Sequence, residues 1–489
     1  MNKASVKTDG EGGARYGAVE RFLLKTQRPA RYTGGEVNAV YKDPKDVDLR
    51  FALCFPDTYE IGMSHLGMKI LYSLINAHPK HYCERVFMPL PDMRELMRAN
   101  FVPLYALESG DGIRGFDIIG FTLQYELCYT TVLAMLDLAG IPVLKSERGY
   151  DFPLIIAGGP CACNPEPLCD FIDLFVIGEG EEVTPELLGL YDECKKSGVP
   201  RPEFLKKAAL IGGVYVPDLS VGAKKRFIAD LNGVFFPKSF VVPFVETVHD
   251  RAVTEIIRGC IRGCRFCQAG FIYRPFREKR RGVIAEEVRA LCESTGYDEV
   301  SLCSLSVSDY SEIEGLLKDL TDYTDKNGIN LSLPSTRIDK FNKQMLDRVK
   351  SVRKSGLTFA PEAGTQRLRD VINKNITEED ILKGCKTAFE GGYGAVKLYF
   401  MLGLPTETNG DVAAIHGLTE SVTRLFREIN PKKSPAISIS LSTFVPKPFT
   451  PFQYEPMISR ETADERQKLL LSLVKSRKIK ISRSDYNMS

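Results

Sequence analysis

Residues 254–267 read TEIIRGCIRGCRFC, a short apolar segment that runs directly into three cysteines. Cys260, Cys264 and Cys267 have the spacing CxxxCxxC, so three thiolates on one loop can converge on a soft metal centre. An iron–sulfur cluster is the best chemical match to these ligands, and a 4Fe-4S cluster has one more iron than this loop has thiolates. The loop therefore predicts a cluster with one iron left open, as catalytic metal sites leave a position open for substrate.

The alternative for these cysteines is a structural zinc site, which needs a fourth cysteine or histidine. His249, Cys292 and Cys303 are the candidates in this part of the chain, and none has a usual zinc-finger spacing. This alternative predicts a non-catalytic, metal-stabilised protein that binds RNA or a protein partner.

The chain around the cysteines alternates short apolar segments with helical periodicity. The apolar segments of the second half are 254–257, 299–305, 330–334, 356–361, 395–401 and 436–444. Six strands separated by helices over this length favour an open, partial (β/α)6 barrel.

The first half has the same alternation. Its apolar segments are 49–55, 116–123, 154–157 and 174–177, each followed by a turn and a helical pattern. Such β-loop-α units predict an α/β domain with a doubly wound, Rossmann-like parallel sheet, whose ligand crevice lies at the carboxyl ends of the strands.

These patterns divide the chain into five segments. They are an irregular or helical lead (1–47), the Rossmann-like domain (48–197), a linker (198–248), the barrel (249–455) and a C-terminal helical segment (456–489), for which the family resemblance described below implies truncation. The linker is rich in Pro, Val, Phe and Gly and is predicted to be β-rich.

Composition limits the classes of protein that this chain can form. It has 489 residues, 44% of them apolar and 26% charged, as expected for two or three globular domains. No signal peptide and no apolar run long enough to cross a membrane is visible, and thirteen cysteines without a secretion signal indicate reduced thiols or metal ligands. A cytoplasmic protein with no membrane partner is expected.

With an aromatic residue, Phe266, immediately before the last cysteine, the loop resembles that of the radical S-adenosylmethionine superfamily, which carries CxxxCxΦC after the first barrel strand. The resemblance implies that Cys260, Cys264 and Cys267 bind a 4Fe-4S cluster whose fourth iron binds S-adenosylmethionine. One-electron reduction would then yield a 5′-deoxyadenosyl radical that removes hydrogen from a substrate. In this arrangement Phe266 shields the cluster or lies near the adenine.

Segments at the ends of later strands are similar to those that contact S-adenosylmethionine in this superfamily. The resemblance implies cofactor contacts for Ser306 after the second barrel strand, Arg337 after the third, Glu362 after the fourth and Gly403 after the fifth. The superfamily's usual Gly-Gly-Glu is absent near Ser306. Glycine at position 403 would allow the adenine to approach the backbone.

The first half resembles the cobalamin-binding domain that precedes the barrel in one subclass of this superfamily. Such domains carry Asp-x-His-x-x-Gly after the first strand, and Asp57–Gly62 matches this motif except that Tyr59 replaces the histidine that binds cobalt. A neutral phenol is a poor cobalt ligand compared with imidazole. Cobalamin is therefore expected to bind, if at all, without this ligand.

A basic segment surrounds the cysteines, although the net charge of the whole chain is only +2. Residues 251–281 contain nine Lys or Arg and two acids. This excess favours an anionic partner, either an RNA substrate or a reduced flavodoxin or ferredoxin-type electron donor. The alternative is that it compensates the charge of the cluster and of carboxylates of the opposite domain.

The sequence thus predicts a radical S-adenosylmethionine enzyme. With cobalamin the expected reaction is methylation of an unknown substrate. Without cobalamin the alternative is another radical modification, such as sulfur insertion or rearrangement.

Overall fold

The computed structural model of the protein describes residues 19–334, 337–340, 357–476, 478–484 and 486. Contacts between residues divide the chain into two compact units. The first extends to Arg251 and includes Ala290–Tyr297, and the second comprises Ala252–Arg289 and the chain from Asp298 onward.

The first unit is built on a six-stranded sheet. Its strands are β1 (Leu49–Phe55), β2 (His81–Phe87), β3 (Ile118–Thr122), β4 (Leu154–Gly158), β5 (Leu174–Val176) and β6 (Val214–Tyr215). Its helices are α1 (Tyr59–Met63), α2 (Leu66–Ala77), α3 (Pro91–Ala99), α4 (Tyr129–Leu138), α5 (Gly180–Lys196) and α6 (Arg201–Ala208).

The order of the strands in this sheet is β2-β1-β3-β4-β5-β6, and all of them are parallel except β6. Every residue of β2 is buried, as expected for a strand of a parallel sheet that is covered on both faces. The order 2-1-3-4-5 is that of flavodoxin-like doubly wound sheets, which bind ligands where the order reverses, between β1 and β3. The predicted α/β fold with a Rossmann-like sheet is confirmed.

The second unit contains a larger number of elements. Its strands are β7 (Ala252–Glu255), β8 (Ile257–Arg258), β9 (Arg277–Glu278), β10 (Glu299–Cys303), β11 (Asn330–Ser332), β12 (Leu357–Glu362), β13 (Ala395–Leu402), β14 (Ala436–Thr443) and β15 (Ile479–Arg483). Its helices are α7 (Ala269–Ile272), α8 (Arg281–Thr295, which continues into the first unit), α9 (Ile313–Asn327), α10 (Gln366–Val371), α11 (Glu378–Glu390), α12 (Asn409–Ile429) and α13 (Arg460–Leu473).

Two parallel sheets follow the chain order in this unit, β11-β10-β7 and β12-β13-β14-β15. Helices α11 and α12 each begin at a threonine, Thr377 and Thr408, that forms a reciprocal capping box with an aspartate three residues later. The six predicted strands correspond to β7, β10, β11, β12, β13 and β14, and the predicted partial barrel is confirmed.

Two details of the predicted segments were wrong. The predicted β-rich linker contains helix α6. Among the described residues its sole strand is Val214–Tyr215, which pairs with β5 at the edge of the first sheet. The C-terminal segment is not only helical, since β15 follows α13 and pairs with β14. Alternation at Ile479 and Ile481 favours a strand, but the many lysines and serines around it conceal the apolar pattern.

Among the described residues, none of the helices is both long enough and apolar enough to cross a bilayer.

Candidate functional site

The three cysteines lie on the loop between β8 and α7, in the second unit. Gly259 precedes them with a φ of +93°, and a Cβ at this position would lie 2.8 Å from the carbonyl oxygen of Pro275. Only glycine tolerates both this conformation and this contact, so Gly259 fixes the direction in which the loop leaves the strand. Within the loop, the amide of Cys267 donates to the carbonyl of Cys264 over 3.1 Å.

The thiols are close enough to influence one another. Burial is the main cause that raises the pKa of Cys264 and of Cys267, and the neighbouring thiols raise both pKa values further. Lys374 opposes this effect at both thiols because its positive charge stabilises a thiolate. Binding to iron removes these protons, so three clustered, partly buried thiols beside a cation fit the donor set of an iron–sulfur cluster.

Within the described ranges, no three His, Cys, Asp or Glu side chains are placed to bind one metal ion together. In a 4Fe-4S cluster each thiolate binds a different iron, so the three sulfur atoms need not converge on a single point.

Phe266 packs beside the cysteines against a small apolar cluster. This cluster is formed by Ala363, Leu368, Ile372, Leu404, Phe444 and Phe452, and Met401 packs against it as well. The cluster therefore joins the cysteine loop to the carboxyl ends of β12, β13 and β14 and keeps water away from this side of the loop.

Ser306 follows β10 and is buried, and its hydroxyl is close enough to the Asp309 carboxylate to help lower the pKa of that group. The hydroxyl of Ser304 is buried without a hydrogen-bond partner among the described residues. A buried hydroxyl that lacks a partner costs free energy and therefore indicates a missing ligand or water. The two buried hydroxyls at one strand end fit the polar contact predicted for Ser306.

Two arginines near the cysteines are held by aspartates. Arg262, within the cysteine loop, forms a bidentate ion pair with Asp309, one of whose bonds is 2.8 Å long. Arg337 pairs with Asp339 at 2.9 Å, and its backbone amide donates to the hydroxyl of Ser308. Arg337 also lowers the pKa of Cys264, which places its positive charge near the thiols, where the sequence predicted a cofactor contact.

Glu362 ends β12 at an irregularity of the strand pairing and has a φ of +69°. Residues other than glycine adopt this left-handed conformation at a cost, and such strain is concentrated at functional sites. Its carboxylate pairs with Lys374 at 3.1 Å, and Lys374 also lies 5.9 Å from the centroid of the Phe266 ring. Burial raises the pKa of Glu362, and Lys374 opposes this effect.

The sequence analysis missed Lys374 because the residue lies in a polar turn after α10, with no motif to mark it. It contacts Glu362 and Phe266 and acts on two of the cysteines, so tertiary structure brings it to the site.

Gly403 has a φ of +86°, and a Cβ on it would lie 2.7 Å from Cγ1 of Ile458. Its amide donates to Glu407, which is paired with Arg466. The chain itself thus requires glycine here, for a reason other than the predicted approach of an adenine. The adenine contact remains a prediction.

In the first unit, Tyr59 is 2% exposed, and its hydroxyl donates to Oε1 of Glu36 over 2.8 Å. Burial and the neighbouring Glu36 carboxylate raise the pKa of this phenol, which keeps it neutral. The hydroxyl is therefore engaged inside the core and is unsuited to bind cobalt. His65 caps α2, where its Nδ1 accepts from the amide of Met68, and burial lowers its pKa to about 4.

A ligand crevice is expected between the carboxyl ends of β1 and β3, where Asp57 and Tyr125 lie. The Tyr125 hydroxyl donates to the Asp57 carboxylate across the point where the strand order reverses. Gly159, after β4, has a φ of +99° and packs against the backbone of Leu123, after β3. Glycine is required at this position because the loops after these two strands approach closely.

Several cations of the basic segment are compensated within the second unit. Arg258 pairs with Glu255, and Lys279 pairs with Glu287 at 2.7 Å. Together with the Arg262–Asp309 pair, these contacts hold three of the nine cations of the segment against carboxylates of the same unit.

Family models match both units of the chain. Residues 67–217 match the family described as "Radical SAM proteins, N-terminal", and residues 254–418 match "Radical SAM superfamily". The second match contains the three cysteines.

Individual proteins agree with these matches. An uncharacterized protein of Methanocaldococcus jannaschii is 30% identical over 83% of this chain and 79% of its own length, and a putative methylthiotransferase of the same organism is 25% identical over 49% and 51%. Among solved structures, the radical S-adenosylmethionine methyltransferase TsrM of Kitasatospora setae, with cobalamin and a [4Fe-4S] cluster bound, matches with a TM-score of 0.55 and 13% identity over 83% of this chain and 77% of that one.

Proposed function

Since the chain belongs to the radical S-adenosylmethionine superfamily and is an enzyme of that class, we propose that it is a cobalamin-dependent methyltransferase. When bound, the cluster supplies one-electron reduction of S-adenosylmethionine, and methylcobalamin supplies a transferable methyl group. The observation that carries the proposal is the sheet order 2-1-3-4-5 of the first unit, which reverses beside Asp57 and Tyr125, where sheets of this kind bind ligands. The fold shared with TsrM supports it.

We assign roles to the residues that lie at and around the three cysteines. Cys260, Cys264 and Cys267 would each bind one iron of the cluster, and the buried hydroxyls of Ser304 and Ser306 would contact polar groups of S-adenosylmethionine. The positive charges of Arg337 and Lys374 favour the thiolate forms and an anionic carboxylate nearby. Phe266 excludes water from one side of the site.

The test is anaerobic reconstitution of the full chain with iron, sulfide and hydroxocobalamin. We expect about four irons per chain, bound cobalt, and 5′-deoxyadenosine after reduction with S-adenosylmethionine present. Iron and 5′-deoxyadenosine without cobalt would contradict cobalamin dependence and favour sulfur insertion, as in the putative methylthiotransferase. Zinc in place of iron would contradict the proposal as a whole.

Replacing Tyr59 with phenylalanine distinguishes a role of its hydroxyl in stability from a role in binding cobalamin. The variant deprives the buried Glu36 of a donor, so we expect the free energy of unfolding to fall by about 1–3 kcal/mol. The absorption spectrum of bound cobalamin should stay unchanged, because this hydroxyl is engaged by Glu36. A spectral change would show that Tyr59 reaches the cobalt. Tyr150→Phe, at a position that is 70% exposed, is the matched control and should change stability by less than about 0.5 kcal/mol.

A further inference from the structure

The sheet β12-β13-β14-β15 has two faces of opposite character. On one face, Val396, Leu398, Ile437 and Ile439 are buried in the same apolar core as Ala388 of α11 and Val422 of α12. The side chains that alternate with them on the other face are partly or fully exposed and, apart from Ala395, Met401 and Ala436, polar.

One row of this polar face crosses all four strands. The strand register places Thr358, Lys397, Ser438 and Lys480 next to one another. Lys397 and Lys480 therefore flank Ser438, each about 4.8 Å away across the sheet. This row contains no carboxylate, and two flexible lysine side chains can reach over the serine hydroxyl between them.

We propose that this row binds a phosphate group of a small-molecule substrate, with the phosphate above Ser438 between Lys397 and Lys480. Two lysines without a carboxylate in their row offer the positive charge that phosphate requires, and the serine hydroxyl adds a donor. The inference names a substrate class for the enzyme and in that respect rests on the proposed function, but the phosphate site is argued from the sheet alone.

Two further rows of the same sheet face, closer to the carboxyl ends of the strands, would contact the rest of the substrate. Tyr399, Ser440 and Ser482 form the second row, with the two serine hydroxyls 3.3 Å apart and the tyrosine 39% exposed. The Lys397 ammonium lies over the Tyr399 ring, 4.8 Å from its centroid, so the first two rows are in contact, and the tyrosine and serine hydroxyls offer hydrogen bonds to a polar group. Met401 and Ser442 form the third row at the carboxyl ends of the strands.

The third row lies near the cysteine loop, because Met401 packs against the same apolar cluster as Phe266. Four residues of a parallel strand separate Ser438 from Ser442, which corresponds to about 13 Å. A substrate that fills all three rows should therefore extend about 13 Å from its phosphate, and we use a nucleoside monophosphate as a probe.

The experiment measures binding of uridine 5′-monophosphate and of uridine by calorimetry to the reconstituted full chain. Saturating S-adenosylmethionine is present so that its own site is filled. We expect the monophosphate to bind at least about tenfold more tightly than uridine, and each of Lys397→Met and Lys480→Met to weaken its binding by about tenfold. Lys386→Met, an exposed lysine of α11 paired with Glu390, is the matched control and should change nothing.

Equal affinity for uridine and its monophosphate, or unchanged binding in both lysine variants, would overturn the proposal. So would tight binding of a single-stranded RNA that neither variant weakens. Iron content and 5′-deoxyadenosine yield are measured on the same samples, and we expect both to match the unaltered protein. A chain that binds the monophosphate through these lysines but never forms 5′-deoxyadenosine would refute the proposed function and leave the phosphate site supported.

Discussion

Replacing Cys264 with alanine is expected to abolish formation of 5′-deoxyadenosine, reducing it to the level found without protein. Cys264 is the most deeply buried of the three loop cysteines and lies between the other two in sequence. Its loss leaves two thiolates for a cluster that is normally held by three or four, so the iron content should fall well below four per chain. Iron analysis and quantification of 5′-deoxyadenosine after anaerobic reduction measure both effects.

The matched control is Cys385→Ala, which removes a fully buried thiol from α11, in the same unit but outside the loop. This variant should keep its iron and its activity and lose only the stability that one small buried group provides. Far-ultraviolet circular dichroism confirms that both variants fold. Iron and 5′-deoxyadenosine retained at the original level in Cys264→Ala would refute the assignment of the loop as the cluster site.

Replacing Arg85 with methionine is expected to cause the largest loss of stability in the first unit. Arg85 is 2% exposed and pairs with Glu36 at 2.8 Å and with Glu108 at 2.6 Å, both of which are completely buried. Without the guanidinium, two carboxylates stay buried with no opposite charge, and breaking such a network costs about 3–5 kcal/mol. The pKa of Glu108 is already raised by burial and should rise further in the variant.

Urea unfolding of the full chain, with hydrogen exchange followed in peptides from β1 and β2, measures the loss where it arises. Arg98→Met breaks the exposed pair with Asp137 and should cost no more than about 1 kcal/mol. The triple variant Glu36→Gln, Glu108→Gln, Arg85→Met removes all three charges and should recover part of the loss. A loss of less than about 1 kcal/mol in Arg85→Met would show that the network contributes little.

The site residues predicted from the sequence agree with the structure to different degrees. The roles of Ser306, Arg337 and Glu362 at strand ends were inferred from resemblance. The structure brings Arg337 and Glu362 to the cysteine loop and buries Ser306 beside Asp309. Lys374 was missed because a lysine in a polar turn has no local signature. Gly403 was predicted to allow the approach of an adenine, and the structure gives a second reason for glycine there, because a Cβ would lie 2.7 Å from Cγ1 of Ile458.

By itself the sequence determined the α/β class, most of the longer strands, although not β2, and the three cysteines that we propose as cluster ligands. These features are local: short apolar segments alternate with helical patterns, and three cysteines lie within one loop. It did not reveal that 479–483 adds a strand or that Tyr59 donates its hydroxyl to Glu36, because both depend on partners distant in the chain.

Only the tertiary structure decided which residues surround the cysteines and which lysines line an open sheet face. Lys374 meets Glu362 through a turn, and Lys397 and Lys480 flank Ser438 through the register of three strands. Residues far apart in sequence become neighbours only when strand pairing and helix packing bring them together. The physical reason is that charge and hydrogen bonding act over a few ångströms in space, whatever the separation along the chain.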